Sequence, residues 1–72
     1  MRNMVKSITV DIEPRVIEYF INSSGWSKEE LSEKLKVDYE LITKWISGEQ
    51  KINLSQLENL SKYLKRPIAA FL

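Results

Sequence analysis

The sequence predicts an all-α fold, a bundle of four to five short helices behind an extended N-terminal arm. Three observations carry that prediction. Apolar residues recur at helical spacing in four separate stretches, and capping residues or proline open them. Glycine follows two of those stretches directly, at Gly25 and Gly48, where a helix needs a left-handed residue to stop. Strand-like alternation is confined to the first dozen residues, too little for a sheet with a core of its own. At 72 residues the chain makes one domain.

Residues 4–12 read as extended, because Ile8, Val10 and Ile12 alternate with Ser7, Thr9 and Asp11. This arm (1–13) either packs on the first helix or offers an edge to another chain or domain, since a lone strand leaves its backbone groups unsatisfied. The helical domain then runs over 14–72. Pro14 suits the first position of a helix, and Val16, Ile17, Phe20 and Ile21 form one stripe, giving a helix over 14–24 closed by Gly25. Trp26 is expected to fold back onto the turn before it.

Ser27 and Glu30 form a capping box for a second helix over about 28–36, with Leu31 and Leu35 on its inner side. Asp38 is expected to cap a third over 39–47. So tight a connection between two short helices forces a steep crossing, the helix-turn-helix geometry. The third helix has two faces: Leu41, Ile42, Trp45 and Ile46 on one side, Tyr39, Glu40, Thr43, Lys44 and Ser47 on the other. Asn53 and Gln56 repeat the capping box before a fourth helix over 54–65, with Leu54, Leu57, Leu60 and Leu64 expected inward and Tyr63 at its margin. Pro67 opens a last helical stretch, Ile68 to Leu72. An apolar helix at the very end of a chain is unusual, so a fragment of a longer protein is expected.

Composition narrows the chemistry. The chain has no cysteine and no histidine, which removes disulfides and thiolate or imidazole metal sites. Nothing pairs a nucleophile with a base or cradles a phosphate, so no catalytic residue, cofactor or metal is expected. No apolar run has membrane-spanning length and the start lacks a signal-peptide core, so a cytoplasmic setting with no membrane partner is expected. Eleven basic residues against ten acidic ones leave a formal net charge of +1. That is a small excess for a nucleic-acid binder, which normally neutralises phosphates with a visible basic surplus.

The stretch from Gly25-Trp26-Ser27-Lys28-Glu29-Glu30-Leu31-Ser32 through Thr43-Lys44-Trp45-Ile46-Ser47-Gly48, followed by Leu54, Leu57 and Leu60, resembles the XRE family of lambda-repressor-like domains. The resemblance spans about residues 14–66. Ser32 stands where the family wants a small residue, and Trp45 with Gly48 matches its Trp-x-x-Gly ending. The frame Val10-Asp11-Ile12-Glu13-Pro14, together with Lys65-Arg66-Pro67-Ile68-Ala69-Ala70-Phe71-Leu72, is similar to the N-terminal part of XRE proteins fused to ImmA/IrrE-type metallopeptidases. In those proteins a zinc peptidase domain with an HExxH motif follows. With no histidine, this chain is not itself that enzyme.

The chain departs from the family pattern in the turn between helices 2 and 3, where Lys36 replaces a common glycine. A side chain in the left-handed region costs about 1 kcal/mol, so a looser or differently shaped turn is expected. Ile21 and Ile46 stand where the family often has a buried Arg–Glu pair. Such a pair exchanges for apolar residues at little cost when both partners change together.

The resemblance implies duplex DNA as the partner. It places Tyr39, Glu40, Thr43 and Lys44 at base-reading positions, and Ser27, Lys28, Ser47, Lys51 and Asn53 at phosphates. One domain covers a half-site, so a homodimer is expected through the arm at 4–12 or the apolar end at 67–72. Electrostatics favour this only weakly. Residues 27–53 hold five lysines against six carboxylates, a net of −1. The competing reading is a protein-interaction or regulatory module with weak or absent DNA binding, packed against a C-terminal peptidase domain.

Overall fold

A computed structural model describes residues 8–72. Helix α1 spans Pro14–Ser24, α2 Lys28–Leu35, α3 Tyr39–Ser47 and α4 Leu54–Leu64, and a 3-10 turn covers Ile68–Phe71. Helix α1 packs across α3 and α4, α2 packs against the same two helices, and the terminal 3-10 turn lies on α4. The core therefore sits where four amphipathic stripes converge. Ile17 and Ile21 come from α1, Leu31 from α2, Ile42 and Trp45 from α3, and Leu57, Leu60 and Leu64 from α4.

The local signals produce the expected ends. Gly25 and Gly48 close α1 and α3 at φ 87° and φ 85°. Both capping boxes form: Ser27 Oγ accepts from the Glu30 amide at 3.1 Å, and Asn53 Oδ1 from the Gln56 amide at 2.7 Å. Asp38 differs from expectation. Its side chain makes no capping bond, and its carbonyl alone serves the first turn of α3, accepting from Leu41 and Ile42.

The turn between α2 and α3 is not loosened by Lys36. The lysine itself takes the left-handed conformation, φ 58° and ψ 45°, and its amide bonds to Ser32 O. Packing of α2 on α3 fixes the geometry, and the side chain bears the steric cost that glycine would avoid. Lys65 does the same at the end of α4, with φ 57°.

One expectation about packing needs correction. Leu54 is exposed, because the first turn of α4 projects past the core and Ile52 fills the position below it. Trp26 bonds through its amide to Ser24 Oγ of the preceding turn at 3.1 Å. It also reaches α4, where its indole N–H donates to Tyr63 O at 3.2 Å and its ring meets Tyr63 edge-on at 6.1 Å. The apolar chain end is divided: Phe71 is buried against Phe20 and half-buried Ile68 packs on the core, while Pro67, Ala69, Ala70 and Leu72 are exposed.

The arm pairs with the segment before α4, and it shares a cleft with Pro14 and Ile17 of α1. Thr9 and Asn53 form an antiparallel bridge, flanked by bonds from Val10 N to Ile52 O and from Leu54 N to Ile8 O. Ile12 then enters the core below it. The first part of the predicted arm, residues 4–7, lies outside the described residues.

Candidate nucleic-acid interface

Helix α3 sorts its side chains by periodicity. Ile42 and Trp45 are buried and Leu41 and Ile46 half-buried, so the helix is anchored along one stripe. Tyr39, Glu40, Thr43, Lys44 and Ser47 lie along the other and are all exposed. Ile21 is fully buried opposite, and Ile46 packs on the same cluster, so no buried charge is needed between α1 and α3. The indole N–H of Trp45, buried at the centre of the domain, has no acceptor among the described residues.

The exposed stripe offers mixed chemistry. The ring of Tyr39 is 44% exposed, large for an aromatic that only packs. Lys44 presents an ammonium and Glu40 a carboxylate one turn apart. Thr43 and Ser47 donate their hydroxyls back to the carbonyls of Tyr39 and Lys44, at 3.3 and 3.2 Å. Ser47 Oγ also accepts from the Glu49 amide at 3.3 Å, whereas Thr43 Oγ1 accepts from no described residue.

The other residues expected at phosphates lie at the start of α2, in the loop after α3 and at the cap of α4. Ser27 opens α2, and its exposed hydroxyl still has a proton to donate. Lys28 follows, half-buried, in a first turn that also carries Glu29 and Glu30. These two carboxylates suit the positive end of the helix and oppose an incoming phosphate at the same point. Lys51 is exposed in the loop after α3, but its ammonium pairs with Asp11 at 3.2 Å. The oxygen of Asn53 is committed to the cap of α4, which leaves its amide N–H groups.

Asp11 is the residue that sequence reasoning overlooked. Forty positions separate it from Lys51, and only the docking of the arm beside the loop brings them together. A shallow cleft of about 150 Å³ lies at the same place, bordered by Val10, Pro14, Trp45, Gly48 and Lys51. Among the described residues no group of histidine, cysteine, aspartate and glutamate gathers as a metal site, and no helix is long and apolar enough to cross a membrane.

No curated protein matches the chain. A family model described as helix-turn-helix matches residues 17–71, most of its length and all of α2, the turn and α3. The matched span, the left-handed turn at Lys36 and the two-faced third helix coincide, and the chain belongs to the XRE-type helix-turn-helix family, a family of DNA-binding modules.

Proposed function

We propose that the chain is the sequence-reading domain of a cytoplasmic transcriptional regulator, with α3 in the major groove of duplex DNA. Tyr39, Glu40, Thr43 and Lys44 face base edges, and Ser27, Lys28, Ser47, Lys51 and Asn53 meet the flanking phosphates. The observation that carries this reading is the division of α3, whose one side is core and whose other side is wholly exposed and polar or aromatic. Lys44 suits the acceptors of guanine, Glu40 the amino group of cytosine, and Thr43 a thymine methyl. A homodimer places two such helices on half-sites about 34–36 Å apart.

The charge balance sets the expected strength. With one more carboxylate than lysine over 27–53, a single copy binds weakly and through few phosphates. That same balance favours a second reading, a regulatory module that docks on a peptidase or other domain of a longer protein. Salt-titrated binding to a pool of duplexes separates the two. The DNA reading expects affinity that falls as salt rises. Lys44→Ala relaxes base preference by about 1–3 kcal/mol at one position, and Lys28→Ala weakens all duplexes alike while reducing the salt slope by about 1. No binding at low salt, or binding indifferent to salt, overturns the DNA reading and leaves the docking module.

A further inference from the structure

Among the described residues, the ribbon formed by the arm and the loop leaves the edge of the arm open. In an antiparallel pair, backbone groups of alternate residues point to opposite sides of a strand. The bonds from Val10 N to Ile52 O and from Leu54 N to Ile8 O turn the groups of Ile8 and Val10 toward the loop. Those of Thr9 and Asp11 therefore point away from it, and neither makes a backbone hydrogen bond to a described residue. The loop strand is closed at Asn53, although Lys51 before it makes no backbone hydrogen bond to a described residue either. The N–H of Asn53 donates to Gln56 Oε1 at 3.0 Å, and its carbonyl accepts from Leu57 at 2.9 Å, so α4 closes the edge there.

Side chains reinforce the asymmetry. Ile8 lies directly across from Leu54, and Val10 from Ile52. The second pair turns into the core, while the first stays open, with Ile8 66% and Leu54 39% exposed. Natural edges are blunted by lysine, proline or a bulge. Ile8-Thr9-Val10-Asp11-Ile12 has neither lysine nor proline, and its one charge is matched by Lys51.

We propose that this edge is the dimerisation surface, and that the arm of a second copy adds to it as an antiparallel strand. Antiparallel addition about a two-fold axis presents the same groups from both copies, so the edge is complementary to itself. Side chains select the register. Setting Asp11 against its own copy brings two carboxylates together, which is unfavourable. Setting Thr9 against Thr9 pairs only one described residue of each copy and sets Asp11 against residue 7, which lies outside the described residues. Setting Thr9 against Asp11 pairs every open group on both strands and puts Val10 on the axis, with Ile8 of each copy opposite Ile12 of the other.

This inference rests on backbone geometry and not on DNA binding, so it is tested without DNA. Sedimentation equilibrium from micromolar to millimolar protein is expected to show a monomer–dimer transition. Thr9→Pro removes only an outward N–H, and Ile8→Lys places a charge at the edge. Each is expected to weaken the dimer at least about tenfold while leaving the circular-dichroism melt unchanged. If Thr9→Pro lowers the melt, Ile8→Lys decides, because Ile8 lies outside the core. A wild-type chain that stays monomeric throughout overturns the proposal, whatever the DNA assay gives. So does a dimer that Ile8→Lys leaves intact.

Discussion

Gly25 and Gly48 differ in one respect that a pair of alanine substitutions isolates. Both end a helix in nearly the same left-handed conformation, φ 87° and φ 85°. A Cβ at Gly25 meets nothing within 4 Å, whereas one at Gly48 lies 3.2 Å from Pro14 Cγ. The conformational cost of alanine in this region is about 1–2 kcal/mol. The stiffer unfolded chain returns about 0.4–1 kcal/mol of it. Gly25→Ala is therefore expected to destabilise by about 0.5–1 kcal/mol. At Gly48 the overlap adds to this, because the Pro14 ring must give by a few tenths of an ångström, through its pucker or a shift of α1. Opening the contact between α1 and the end of α3 costs about 1–3 kcal/mol more, as overpacking does elsewhere.

Thermal unfolding reads the difference. For a domain of this size about 4–8 °C is lost per kcal/mol, so Gly25→Ala falls by about 2–8 °C and Gly48→Ala by at least about 4 °C more than Gly25→Ala. Pro14→Ala removes the atom in the way, and a double-mutant cycle with Gly48→Ala should recover most of the added cost. Equal losses at the two glycines, or a cycle with no coupling, refute the steric account. The end of the recognition helix would then be set by φ alone.

Three further outcomes follow from the same geometry. Lys36→Gly removes the side chain from the left-handed turn and is expected to stabilise by about 0.5–1 kcal/mol net of the looser unfolded chain, measured by urea unfolding; a loss of stability contradicts it. Ser27→Ala breaks the capping box and should cost about 1 kcal/mol, whereas Asp38→Ala, with no capping bond to lose, should stay within about 0.5 kcal/mol in the same assay; similar losses contradict this. Asp11→Ala releases Lys51 from an exposed ion pair, so stability should change by less than about 1 kcal/mol. Affinity for duplex DNA at low salt should rise, and an unchanged affinity counts against Lys51 as a phosphate contact.

The parts of the molecule that were legible in the sequence are those decided within one or two turns of chain. A capping box needs only Ser27 and Glu30, or Asn53 and Gln56, three residues apart, and a helix end needs only a glycine in place. The faces of α3 follow from its period, and with them the outward residues of the candidate interface. Asp38 shows the limit of local rules, since its carbonyl alone meets the first turn while its side chain stays uncommitted.

What tertiary structure alone decided lies at long sequence separation. The arm docks against residues 52–54 and ties Lys51 to Asp11. Trp26 crosses to Tyr63, and Phe71 returns to Phe20. The strain at Lys36 is of the same kind: the sequence shows a lysine where glycine is usual, but not which of turn or side chain gives way. Packing of α2 on α3 gives that answer, because the turn is shared by two buried helices and a solvent-facing lysine is not. Period and caps depend on neighbours along the chain, whereas pairing and burial depend on which surfaces the closed bundle leaves free.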